Sequence, residues 1–144
     1  MIINNFVMDL SYHIKMINLN KLDGLMFLVG RSFLGIYFLL PGILKIFTYS
    51  ETLTLMISKG VPLASLALPI TIVLQVGLSL LIIANKHLRI SAVILFGLTI
   101  LINIFIHNFW DLSGDPSYGH EMQNFVKNTA IAAGLLVLAT KDKS

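Results

Sequence analysis

"GVPLASLALPITIVLQVGLSLLIIAN", residues 60–85, runs for 26 positions without a charged side chain. A helix rises ~1.5 Å per residue, so ~20 apolar residues cross a ~30 Å hydrocarbon core. This stretch therefore predicts a membrane-spanning helix, and the rest of the chain follows the same pattern. Only 12% of its 144 residues are charged and the mean hydropathy is +0.86. A soluble domain carries roughly twice that charge. Lipid offers backbone groups no hydrogen-bonding partner, and the short alternating strands of a barrel are missing, so helices are expected.

Three further apolar segments flank the first, giving predicted spans at 24–47, 62–85, 88–110 and 121–140. The last is the most polar, with a clean apolar run only over 128–140. Lys15, Lys21, Lys86, Arg89, Lys141 and Lys143 fall on one side of these spans, whereas Lys45 and Lys59 fall on the other. Cytoplasmic flanks carry the excess of Lys and Arg, which predicts both termini inside and the loops 48–61 and 111–120 outside. The domain organisation expected is an N-terminal interfacial segment (1–21), a membrane domain (22–140) and a short tail (141–144). Asp9 and several Asn argue against a cleaved leader at the start. Ile3, Phe6, Val7, Leu10, Ile14 and Ile17 recur at helical spacing, which predicts an amphipathic helix on the membrane surface. Leu53, Met56 and Ile57 predict a second, shorter one in the first outer loop, ended by Gly60 and Pro62.

The absence of cysteine excludes a disulfide, a thiol relay and a Cys-ligated cluster within this chain. The ten Lys and Arg form no basic stripe, so the pI of 9.3 reflects membrane topology and not nucleic-acid binding. No nucleophile triad, phosphate loop or dinucleotide fingerprint occurs, and no catalytic residue is assigned.

The polar residues inside the spans carry the functional question. In the first, Arg31, Gly35, Phe38, Gly42 and Lys45 step by 4, 3, 4 and 3 and share one face. Thr71, Gln75 and Ser79 do the same in the second; Thr99, Asn103, His107 and Trp110 in the third; Glu121, Asn124 and Asn128 in the fourth, with Lys127 alongside. Polar groups in lipid face a bundle interior or a cavity, so four stripes predict one antiparallel four-helix bundle with a polar seam. Counted from the outer ends, Arg31 lies ~24 Å deep and Gln75 ~20 Å, close enough in depth to be neighbours. Asn103 and Lys127 lie ~9–11 Å deep. The candidate ligand-binding set is Arg31, Gln75, Asn103, His107, Lys127 and Asn128, with Lys45, Asn108, Trp110 and Glu121 at the outer mouth.

Each assignment has a structural alternative. Arg31 suits a quinone carbonyl or an anionic head group, but also Gln75, Ser32 or freed backbone carbonyls. Gln75, Thr71 and Ser79 equally make interhelical hydrogen bonds. His107 is read as a proton carrier or substrate contact, or as an interfacial His beside an anchoring Trp110. Lys127 either contacts an anionic ligand or snorkels to the surface, and Lys45 snorkels more readily. His107, Asp111, His120 and Glu121 lack a metal-ligand spacing, so no metal is assigned. Pro41 frees the Tyr37 carbonyl and predicts a kink.

"GRSFLGIYFLLPGILKIF", "KGVP", "HNFW" and "FVKNTAIAAGLL" together resemble the DoxX family of small four-helix membrane proteins, over residues 30–138. The resemblance implies a bacterial inner-membrane location and a non-catalytic subunit or accessory of a quinone-linked redox or oxidative-stress system. It further implies a protein partner, with a homo-oligomer as an open possibility, and a quinone as candidate ligand. Gln75 stands where many members have Glu, which removes a carboxylate able to carry a proton. Two alternatives are weighed: an assembly protein with no small ligand, and, disfavoured by the lack of inverted repeats, a small-solute transporter.

Overall fold

The fold was analysed in a computed structural model that describes residues 4, 5, 7, 8 and 20–141. All regular structure among them is helical, with no strand. From residue 20 onward the helices are α1 (Asn20–Phe47), α2 (Tyr49–Ser58), α3 (Ala64–Ile83), α4 (Leu88–Phe105) and α5 (Tyr118–Ala139), with a 3-10 turn at Phe109–Asp111. Residues 4, 5, 7 and 8 are also helical, with Val7 and Met8 exposed; the other positions of the predicted N-terminal helix lie outside the described residues. The chain divides into two compact units, Met1–Gly30 and Arg31–Ser144. Every contact discussed below lies within the second.

Among the described residues, three helical stretches are long and apolar enough to cross a membrane: Leu22–Phe47, Ala64–Ile83 and Leu88–Asp111. The 22 residues of α5 suffice in length. It falls short on apolarity because its first half carries His120, Glu121, Gln123, Asn124, Lys127 and Asn128.

Sequence explains the boundaries. Lys59 caps the end of α2, and Gly60 adopts φ +69, a left-handed conformation that glycine takes without steric cost. Leu63 at the start of α3 (φ 52) and His87 at the start of α4 (φ 49) adopt that conformation despite their side chains. Pro41 sits inside α1 without ending it, since helical assignment continues to Phe47.

Packing follows the polar stripes. In α1, Gly35, Phe38 and Gly42 are buried while Phe33 is 70% exposed. Gly35 lies against Ile83 and 3.1 Å from the Ser79 carbonyl, as measured from the position its Cβ would take. The same construction at Gly42 places a Cβ 2.9 Å from Gln75 Cβ. Positions 35 and 42 thus meet 83 and 75, in antiparallel register. Gly134 of α5 faces Leu34 at 3.7 Å, and Tyr37 bonds Asn128, so α1 and α5 are antiparallel too. Asn103 of α4 bonds residues 125 and 129 of α5, and His107 meets Glu121. α4 also packs along α3. The large exposed side chains on the opposite faces, Val73 and Val126 among them, are apolar. That inversion suits lipid as solvent.

Candidate functional site

The deepest polar groups are Gln75, Ser79, Ser91, Thr99, Asn103 and Asn128, none more than 6% exposed. Of the six residues expected to line a seam, Gln75, Asn103 and Asn128 are thus buried. Arg31 and His107 are half-buried at opposite ends, and Lys127 is exposed.

Several of these groups make hydrogen bonds within or between helices. Ser79 donates to the Val76 carbonyl (2.9 Å) and Thr99 to Leu95 (2.7 Å), each within its own helix. Tyr37 donates to Asn128 Oδ1 at 2.5 Å, joining α1 to α5. Asn103 Nδ2 donates to the Phe125 carbonyl (3.0 Å) and to Thr129 Oγ1 (3.3 Å), while Thr129 donates to the same carbonyl (2.8 Å). A carbonyl only accepts, so the nitrogen of Asn103 is the atom facing Phe125. Its oxygen is thereby fixed on the other side.

That oxygen, Asn103 Oδ1, has no hydrogen-bond partner, and neither does Gln75 Oε1 or Ser91 Oγ. All three are sealed from water. An unsatisfied buried acceptor costs ~1–3 kcal/mol, more than the ~0.6 kcal/mol that an average interhelical bond in a membrane returns. Helix association accounts for the amide nitrogen of Asn103, which bonds α5, and not for these three oxygens. The two unpartnered carboxamide oxygens are acceptors, so they match a hydroxyl donor on an apolar ligand and not a bare carbonyl.

Arg31 takes backbone carbonyls as its partners, one of the structural alternatives its position allows. It donates through Nη1 to the Ile82 carbonyl at 2.8 Å and to the Ile83 carbonyl, at the end of α3. These carbonyls belong to the last turn of α3, where a cation is favoured by the helix dipole; the Ile82 carbonyl also accepts from the Asn85 amide at 3.1 Å. Gln75 is not its neighbour. The antiparallel register sets Gln75 against Gly42, eleven residues or ~16 Å along α1 from Arg31.

A second cluster lies at the α2 end. His107 Nδ1 sits 2.6 Å from Glu121 Oε2, both about four-fifths buried (18% and 20% exposed), tying the end of α4 to the start of α5. Lys59 Nζ donates to Asn108 Oδ1 at 3.2 Å, and Asn108 Nδ2 donates to Asp111 at 2.8 Å. Phe109 stacks edge-on against Trp110, Tyr118 and Phe125, with centroids 5.4–5.7 Å apart. Trp110 itself is 48% exposed. Before α5, Asp115 accepts from the Ser117 hydroxyl (2.5 Å) and amide (2.8 Å), which hold its carboxyl below the ordinary carboxylate range.

Lys127 bonds Asn124 on its own helix (3.0 Å), and Lys45 bonds the Pro41 carbonyl (3.3 Å). Neither joins the buried set. No group of three or more His, Asp or Glu positioned for a metal occurs among the described residues. A shallow depression of about 520 Å³ lined by Ser50, Glu51, Thr54, Leu55 and Ser58 lies on α2, away from the seam residues.

The stripes do not single out Tyr37, Thr129 or Lys59. Tyr37 sits one residue from Phe38 on the buried face of α1, which is the signal that finds it. Thr129 and Lys59 carry none, because their partners are 26 and 49 residues away.

Comparison with known proteins agrees with this architecture. The inner membrane protein YphA of Escherichia coli (strain K12) is 33% identical over 112 residues, covering 78% of this chain and 79% of the relative. No solved structure matches the chain. The sequence profile of the DoxX family matches residues 26–108, and the chain is an integral membrane protein belonging to the DoxX family.

Proposed function

We propose that this chain is a non-catalytic membrane subunit or accessory of a quinone-linked redox system, holding a quinone or another lipid-soluble molecule in its seam. In this reading α1, α3, α4 and α5 form an antiparallel four-helix bundle in an inner membrane, with both termini cytoplasmic and α2 on the outer surface. α5 crosses as the fourth span, its polar half shielded by α1 and α4. The single observation that carries the reading is that the buried carboxamides of Gln75 and Asn103 have oxygens without donors, which the hydroxyls of a quinone in its reduced form would supply. Family membership and the inner-membrane location of the relative support the setting. Arg31 and His107 act at the two ends as ties and not as ligand contacts. The test is gentle purification followed by lipid extraction, then titration with ubiquinone. Stoichiometric quinone that is lost in Gln75→Leu and Asn103→Leu supports the reading; a protein that neither retains nor takes up quinone sinks it.

A specific observation favours a second reading, an assembly protein with no small ligand. Arg31, Tyr37, His107 and Lys59 all bond within the chain, as helix ties would. In that case replacing Gln75 and Asn103 leaves association with a partner intact, while shortening 111–120 abolishes it.

A further inference from the structure

The seam acceptors are sealed, so any ligand needs a way in, and α2 is the element built to provide one. It is ten residues long and stands on a small apolar base. Met56 is its one buried side chain, packed with Ala64 and Leu68 of α3. Leu53 of α2, and Ile106 just past α4, close the same cluster. Glu51, Thr54, Leu55, Ile57 and Ser58 are exposed. Ile106 is three residues beyond Asn103, so this cluster lies at the end of α4 nearest Asn103.

Both ends of α2 depart from helical backbone geometry. Thr48 breaks the helical path from α1, with ψ 35. On the other side, Gly60 (φ +69) and Leu63 (φ 52) lie within four residues. A leucine in the left-handed region is held there at a cost of ~1–2 kcal/mol.

One polar link fastens this element to the α4–α5 connection: Lys59 to Asn108, at 3.2 Å. Asn108 cannot turn its amide round without losing its 2.8 Å bond to Asp111, which accepts only. Its oxygen is thus presented to the Lys59 ammonium. The neighbouring His107–Glu121 pair joins α4 to α5, and Glu121 lies within electrostatic reach of the Lys59 ammonium.

We infer that α2 is a lid over the seam, latched by the Lys59–Asn108–Asp111 chain and hinged at Thr48 and Gly60–Leu63. Its purpose rests on the seam being a binding site, but its motion does not, and the test uses no ligand. The chain lacks cysteine, so a single engineered thiol reports one position. Ala64→Cys places it directly under α2, and Thr99→Cys places it in the seam, 2% exposed. Reaction with a small hydrophilic maleimide is followed by mass spectrometry on protein in nanodiscs, with an unfolding scan confirming that each variant is folded.

Breaking the latch with Lys59→Ala or Asn108→Leu is expected to speed labelling at both probes by roughly tenfold, the value of one charge-assisted bond. The double variant is expected to be no faster than either single, since both remove the same bond. Faster labelling at Ala64→Cys alone overturns the gating role, because the lid then covers only α3. Unchanged labelling at both probes overturns the lid itself. Failure of quinone binding would touch neither result.

Discussion

The close approach of α1 to α3 can be weighed with a matched pair of glycines. Gly42 and Gly77 are both helical, and Gly→Ala in a helix gains ~1 kcal/mol of propensity at either. Their surroundings differ. A Cβ on Gly42 would lie 2.9 Å from Gln75 Cβ, 3.0 Å from Val76 Cγ2 and 3.4 Å from the Val76 amide nitrogen. Ordinary carbon contacts sit at ~3.5–4.0 Å, so α1 and α3 must part by roughly 0.5–1 Å. Two of the three atoms are Cβ and backbone and cannot swing aside. Overpacking of this kind costs ~1–3 kcal/mol. A Cβ on Gly77 meets nothing within 4 Å. Propensity cancels between the variants, so Gly42→Ala should be less stable than Gly77→Ala by ~1–3 kcal/mol, roughly 5- to 150-fold in the folding equilibrium. Reversible unfolding in mixed micelles, titrated with a denaturing detergent, measures the difference. Equal stabilities, or Gly42→Ala the more stable, would refute the tight α1–α3 contact.

Other substitutions probe the remaining ties. Arg31→Met should destabilise by ~1.5–3 kcal/mol in the same assay by stripping the Ile82 and Ile83 carbonyls of a charged donor, and Arg31→Lys should recover part of it. Tyr37→Phe removes only the hydroxyl bonded to Asn128 and should cost ~0.6 kcal/mol, at most ~1.7, with no loss of helix content by circular dichroism. His107→Ala and Glu121→Ala should be non-additive by ~0.5–3 kcal/mol in a double-mutant cycle, whereas His107→Ala with the exposed Lys127→Ala should add. The Asp115 carboxyl is held low by Ser117. Its hold on the start of α5 is therefore complete above the ordinary carboxylate value of 3.8 and is lost as pH falls through the lowered one. The protection factor of the Ser117 amide, referred to the intrinsic rate at each pH, should fall over that acid range and should be low throughout in Asp115→Ala.

Much of this arrangement is written locally. The 4, 3, 4, 3 spacing of Gly35, Phe38 and Gly42 with their flanking charges marks one face, and that face is the buried one. Gln75, Ser79, Thr99, Asn103 and Asn128 are buried for the same reason: a polar residue in an apolar helix has nowhere better to go. Register is not local. Depth counting makes Arg31 and Gln75 neighbours because it assumes equal offsets, whereas side-chain volume at Gly35 and Gly42 sets α1 against α3 and brings Arg31 to the carbonyls of Ile82 and Ile83. Those backbone acceptors leave no trace in a side-chain pattern. Lys127 shows the opposite limit. It neighbours Asn128 in sequence, yet one step around a helix is ~100° and turns it outward. The lengths of α1 to α4 follow from composition, but α5 mixes a polar half with an apolar one, and only its partners decide which face lipid sees.

The central claim is that the polar faces of α1, α3, α4 and α5 turn toward one another and away from acyl chains. A lipid-dissolved carbene reagent, photoactivated in bilayers containing the protein and mapped by peptide sequencing, reads this directly. Label should fall on Phe33, Val73, Leu101 and Val126, which are 54–70% exposed, and spare Gln75, Thr99 and Asn103, which are 2–3% exposed. Heavy labelling at Gln75 and Asn103 would mean that the polar side chains meet lipid, and the seam would not exist.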